Sequence, residues 1–158
     1  MQRIIRPLFL SLILLAMVSC ASIDCPLNNM VYAKFKFAKR VTDTLTVAAE
    51  ISDGRDSILF NRGVDVDSIQ LPMSYSRSQD VYYFEFKDSV STKTDKITVS
   101  KEDRPHFESV DCNPSVFHTI TGVSTTHNVI DSIAVNNKDV TYDARKPHLI
   151  IYLKGNSD

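Results

Sequence analysis

Beyond residue 20 the apolar residues of this chain recur at every second position, and no stretch of helical length repeats near every 3.6 residues. Val31, Ala33, Phe35 and Phe37 alternate with Tyr32, Lys34 and Lys36. Leu45, Val47, Ala49 and Ile51 alternate with Thr44, Thr46 and Glu50, and Tyr82, Phe84 and Phe86 with Tyr83 and Glu85. Successive side chains of a strand point to opposite faces, so each run reads as a strand with one buried and one wet face. Val64 to Leu71, Ile97 to Val99, Val116 to Val123 and Val129 to Val135 read likewise, and the nearly all-apolar Leu149 to Leu153 reads as a fully buried strand.

Turn chemistry separates these runs. Asp53-Gly54 suggests a hairpin between Leu45–Ile51 and Ser57–Phe60, Asn61-Arg62-Gly63 turns the chain again, and Pro72 ends a strand. Ser74 to Gln79 and Ser89 to Asp95 read as polar loops, Lys101 to Pro105 as a charged, solvated connection, and Asn136 to Asp139 as a turn. Phe107 to Cys112 reads as a strand end broken by Asn113-Pro114. About eight short strands between frequent turns predict one all-β domain over residues 30–154, a β-sandwich of immunoglobulin-like type, with 155–158 as a tail. An eight-stranded β-barrel is the alternative.

The first twenty residues obey a different rule. Arg3 and Arg6 precede an apolar run, Leu8 to Val18, of signal-peptide length and too short for a comfortable membrane span. Ser19-Cys20 closes it in an arrangement that resembles a bacterial lipobox, with Met17 where Leu is usual. The expectation is a lipoprotein signal peptide over 1–19, a lipidated Cys20, and an anchor and tether over 20–29. Cysteine suits that role because a thiolate is the nucleophile that takes the lipid. One acyl chain of myristoyl size anchors only marginally, whereas two or three hold stably. An ordinary signal peptide cut nearby is the alternative.

Removal of Arg3 and Arg6 takes the net charge of −1 down by two, which argues against nucleic acid and against charge-driven binding to an anionic membrane. With Cys20 lipidated, Cys25 and Cys112 remain. An even pair in an exported chain suggests a disulfide, and the other reading is two free thiols. The bridge would close a loop of about 90 residues, worth roughly 4 kcal/mol in the chain-entropy view.

The lipobox, Cys25-Pro26, the segment ending Ile69-Gln70-Leu71-Pro72, Asp111-Cys112, Ile130-Asp131-Ser132-Ile133 and Leu149-Ile150-Ile151-Tyr152 together resemble an uncharacterised family of Bacteroidota lipoproteins. The resemblance implies an envelope lipoprotein and carries no activity or catalytic residue. Surface-bound lipoproteins of that group commonly place several acidic residues just after the lipidated cysteine. Here Ala21-Ser22-Ile23 follow and only Asp24 is acidic, so the expected location is the outer membrane, facing the periplasm.

No catalytic or metal-binding motif is present, and no cofactor is expected. His106, His118, His127 and His148 sit at no metal-ligand spacing, and His118, beside Thr119 and Thr121, reads as part of a wet face. Asp65 and Asp67 would share a strand face, yet offer too few oxygens for a calcium loop. Tyr82, Phe84 and Phe86 read as core in preference to a ligand cavity. Five Asp-Ser/Thr-apolar triplets, at Thr44, Ser57, Ser68, Ser89 and Ser132, resemble the O-glycosylation motif of Bacteroidota exported proteins. Asp-Ser pairs also favour turns. Ser89, in the polar Lys87-to-Asp95 stretch, is the best candidate. The expected function is a non-enzymatic envelope module that binds a partner protein or supports one. A carrier of a small apolar ligand and a hydrolase with a cryptic site are the alternatives.

Overall fold

The structure, a computed structural model, describes residues 25, 30–51 and 56–155. The leader, Cys20, most of the tether, the Asp53-Gly54 turn and the last three residues lie outside the described residues. Ten strands follow one another, and no helix occurs among the described residues. They are β1 (Tyr32–Val41), β2 (Thr44–Glu50), β3 (Asp56–Gly63), β4 (Val66–Pro72), β5 (Gln79–Lys87), β6 (Thr92–His106), β7 (Ser115–Thr125), β8 (Ile130–Val135), β9 (Asp139–Val140) and β10 (Leu149–Leu153).

The strands form two sheets, ordered β4-β1-β10-β8 and β3-β2-β5-β6-β7-β9. Two open sheets make a sandwich-like architecture, in which one sheet curls as a half-barrel. Among the described strands only β1 and β10 run parallel, Phe35 opposite Leu149; the other pairs are antiparallel. β10 is the apolar run of the sequence, and it lies between β1 and β8 with Leu149 and Ile151 buried.

The alternating residues meet between the sheets. Phe35 and Phe37 pack on Tyr82 and Phe84 with ring centroids 5.6–6.4 Å apart, within the range where edge-to-face contacts add to burial. Tyr82, Phe84 and Phe86 are therefore core. Cys25 and Cys112 are joined by a disulfide, with Cα atoms 5.4 Å apart across a separation of 87 residues.

Several local readings change. Asn61-Arg62-Gly63 is no turn but the end of β3, where a register shift occurs opposite Leu45–Val47 and Arg62 takes φ 52°. The bend into β4 falls at Val64-Asp65, with Asp65 at φ 56°. Asp65 therefore precedes the strand that carries Asp67, and it pairs with Arg40 at 3.0 Å. Residues 92–95 and 101–105 belong to β6, and 107–112 form a loop. The charges of 101–105 sit in a strand because β7 pairs with it through Ser115 opposite His106. Asp139 and Val140 form β9. The barrel alternative does not describe two open sheets.

The strand directions give the molecule two ends. One carries the start of β1, the ends of β2 and β4, and the loop 107–114 that the disulfide ties to Cys25. The other carries the β5–β6 hairpin, where Asp88 accepts from the Val90 and Ser91 N–H groups, and the turn after β10.

Candidate functional site

β6 continues its alternation past the apolar Ile97 and Val99 to Lys101, which stays on the buried face. A buried ammonium needs acceptors on all sides. Lys101 finds three: the Ser74 carbonyl, the Arg77 carbonyl at 2.7 Å and Asp103 Oδ1 at 2.6 Å. The same Asp103 oxygen lies 2.7 Å from His118 Nδ1. Burial lowers the His118 pKa despite Asp103, so the ring is neutral near pH 7 and donates a hydrogen bond rather than forming an ion pair. Burial acts to raise the Asp103 pKa, but the bonds from Lys101 and His118 outweigh it and the net shift is downward.

His118 lies with Ile120 on the buried face, not on the wet face of Thr119 and Thr121. Strict alternation already sets His118 on the face opposite Thr119 and with Ile120; the face switches only after Ile120, where Ser100 pairs with Gly122 and Lys101 with Ile120, so Thr121 is the extra residue.

The network holds the loop between β4 and β5. Besides Lys101, the Asp80 carboxylate accepts from the Ser74 N–H at 3.2 Å, and Arg77 reaches the Glu50 carbonyl at 2.6 Å. The Tyr82 hydroxyl donates to the Pro72 carbonyl at 2.8 Å. Asp80 is buried; desolvation pushes its pKa up to about 6 against Lys101, the Ser74 N–H and Arg77.

This loop is one wall of an apolar cleft of about 230 Å³. The cleft lies between the edge strands β3 and β4, lined by Met30, Ile51, Leu59, Met73, Tyr75 and Tyr82, with Asp80 also at its lining. Met30, Ile51 and Tyr75 are exposed. Two larger hollows, about 590 and 500 Å³, are bordered by charge: Lys39, Asp131 and Lys154 in one, Arg62, Glu85 and Lys87 in the other.

Of the glycosylation candidates, Ser57, Ser89 and Ser132 are exposed, whereas Thr44 and Ser68 are half-buried within β2 and β4. The five do not cluster: Ser89 lies in the β5–β6 hairpin and Ser132 in the edge strand β8. Among the described residues no group of three or more His, Cys, Asp or Glu is placed to hold a metal ion.

The profile of a family of unknown function, DUF6452, matches residues 44–153, from β2 through β10. The chain belongs to DUF6452. No curated protein and no solved structure matches it. The DUF6452 match contains Asp80, Lys101, Asp103, His118 and Cys112, and it leaves Met30 and Cys25 outside. It agrees with the resemblance to a family without assigned activity.

Proposed function

We propose that this DUF6452 protein is an envelope lipoprotein, anchored through Cys20, whose sandwich binds a partner protein and performs no reaction. The observation that carries this reading is the apolar cleft at the open β3–β4 edge. An edge strand offers unpaired backbone groups, and a cleft beside it can take the alternate side chains of an added strand. The cleft's 230 Å³ falls below the roughly 300–1,000 Å³ of small-molecule sites, so it suits one or two side chains of an extended apolar peptide. The two hollows with room for a ligand have charged borders, which speaks against an apolar carrier. The His118–Asp103 pair could suggest a hydrolase, but His118 is buried and Asp103 is engaged by Lys101.

A photocrosslinking residue at Tyr75 in the native envelope should capture a defined protein. Ile51→Asp should abolish that capture, and a crosslinker at Val90, at the other end, should not give it. Equal capture from both positions would refute the cleft as the site. The anchor has its own test: Cys20→Ser should abolish labelling by a fatty-acid probe. Placement in the outer membrane facing the periplasm predicts resistance to protease added to intact cells.

The immunoglobulin-like subtype and the Bacteroidota source belong to the same reading. So does O-glycosylation, with Ser89 first because it is exposed in a hairpin turn. The intact mass of native protein should exceed polypeptide plus lipid, and Ser89→Ala should remove one glycan.

A further inference from the structure

Two strongly exposed apolar side chains stand in one short loop at the disulfide-bearing end, while Val90, 92% exposed, stands at the other. Val110 is 99% and Phe107 65% exposed, both in the loop between β6 and β7. The Cys112 N–H bonds the Ser109 carbonyl at 3.2 Å, which sets Val110 at the tip of a turn. The Cys25–Cys112 bridge fixes the turn's last residue. Glu108 is drawn back to His106 Nε2 at 2.9 Å, and His106 is itself stacked on Phe117 at 4.2 Å.

We propose that the 107–112 loop is a membrane-contact surface that seats Phe107 and Val110 in the interfacial layer of the bilayer holding the anchor. The proposal rests on the reading of Cys20 as the lipidated residue. The chain from Cys20 to Cys25 spans at most about 18 Å fully extended. The disulfide then leads directly to the loop, so this is the part of the described domain closest to the lipid along the covalent path. Interfacial apolar groups bury only about 5–10 Å into the headgroup boundary, which a protruding turn can reach. The loop's charges, Glu108 and Asp111, disfavour anionic lipid, so the contact is apolar and suits a zwitterionic surface. The end of the sandwich with the β5–β6 hairpin then points away from the membrane.

The chain contains no tryptophan, so one introduced indole is a clean reporter. The chain from Cys20 onward, with the disulfide closed, is coupled through the Cys20 thiol to a maleimide phospholipid in phosphatidylcholine vesicles. Brominated acyl chains should quench Phe107→Trp and leave Val90→Trp, at the far end, unquenched. Adding Val110→Asp should relieve the quenching at position 107. No quenching at 107, or equal quenching at both positions, overturns the proposal. A blue shift at 107 that depends on protein concentration and not on lipid would assign the surface to a second copy, and also overturns it. Because the lipid is attached chemically, failure here is separate from failure of the anchor, which the mass of the native protein reports. An unmodified Cys20 in that protein would refute the anchor and, with it, this surface's native role.

Discussion

The Lys101 ammonium lies 2.7 Å from the carbonyl oxygen of Arg77, so a side chain buried in β6 holds the loop that walls the apolar cleft. Lys101→Met keeps the length of the side chain and removes the charge. It would leave two loop carbonyls without their donor and Asp103 with His118 alone. The Asp103 carboxylate is exposed, so the loss comes from the loop carbonyls left unsatisfied, at about 1–3 kcal/mol each. The variant should unfold at correspondingly lower urea, and amides of 74–78 should exchange faster than those of β10. Unchanged loop exchange would show that Lys101 does not position the cleft wall.

Asp80 works against the fold at neutral pH. Its carboxyl titrates near 3.8 when unfolded and is pushed up to about 6 by burial. Between those values the folded chain holds a proton that the unfolded chain has lost. Its stabilising effect is full at low pH and declines as pH rises through that window. Asp80→Asn keeps an acceptor for the Ser74 N–H and removes the titration. The variant should gain on the parent between about pH 4.5 and about pH 7.5 by on the order of 2 kcal/mol. Urea unfolding of both at each pH measures this, and a constant difference would contradict it.

The strands of the core were legible because their period was undisturbed: Phe35, Phe37, Leu45, Val47, Tyr82, Phe84 and Ile151 all face inward as alternation requires. The supporting network was not. Ile97, Val99 and Lys101 continue one alternation, but a lysine followed by Glu102 and Asp103 reads as solvated surface. Its burial depends on two carbonyls contributed by the loop between β4 and β5, and spacing along one strand cannot reveal these. His118 alternates with Thr119 and so faces inward with Ile120, but a histidine beside threonines carries no apolar mark of burial; the bulge at Thr121, beside Gly122, shifts the period only beyond it. The cleft was illegible for a similar reason, since Met30, Ile51 and Tyr75 come from three separate segments.

Asp95 should be among the least replaceable polar residues. Its buried carboxylate accepts from Thr126 Oγ1 at 2.7 Å and from the N–H groups of Asn128, Val129 and Ile130 at 2.6–2.8 Å. Burial alone would raise its pKa, but these donors overcome it and hold the carboxyl below its ordinary value. Its contribution is present above the unfolded value and is lost as pH falls through the folded one. Asp95→Asn turns an amide NH₂ toward backbone donors. A loss of about 2–4 kcal/mol is expected, given about 1.5–3 kcal/mol for hydrogen bonds to charged groups. Thermal unfolding at neutral pH checks it, and a shift within error would exclude the carboxylate as the support of the β7–β8 loop.

His148 makes the fold sensitive to mild acid. Its Nδ1 accepts the Lys34 N–H at 2.8 Å, which requires that nitrogen to be unprotonated. The proton therefore sits on Nε2, which is buried. Burial lowers the pKa of His148, and the Asp139 carbonyl and the Asp143 charge only partly oppose it. Below the unfolded value near 6.5 the unfolded chain gains a proton that the folded chain resists, so stability present above that value is lost as pH falls. His118 adds to this in the same direction. His148→Phe abolishes the titration but leaves the Lys34 N–H unpaired, at a cost of about 1–3 kcal/mol near neutral pH. The gap between variant and parent should therefore narrow from about pH 7.5 to about pH 5.5 as the parent weakens. Paired urea titrations measure both gaps, and a gap that stays constant or widens would show that His148 is not the acid-sensitive group.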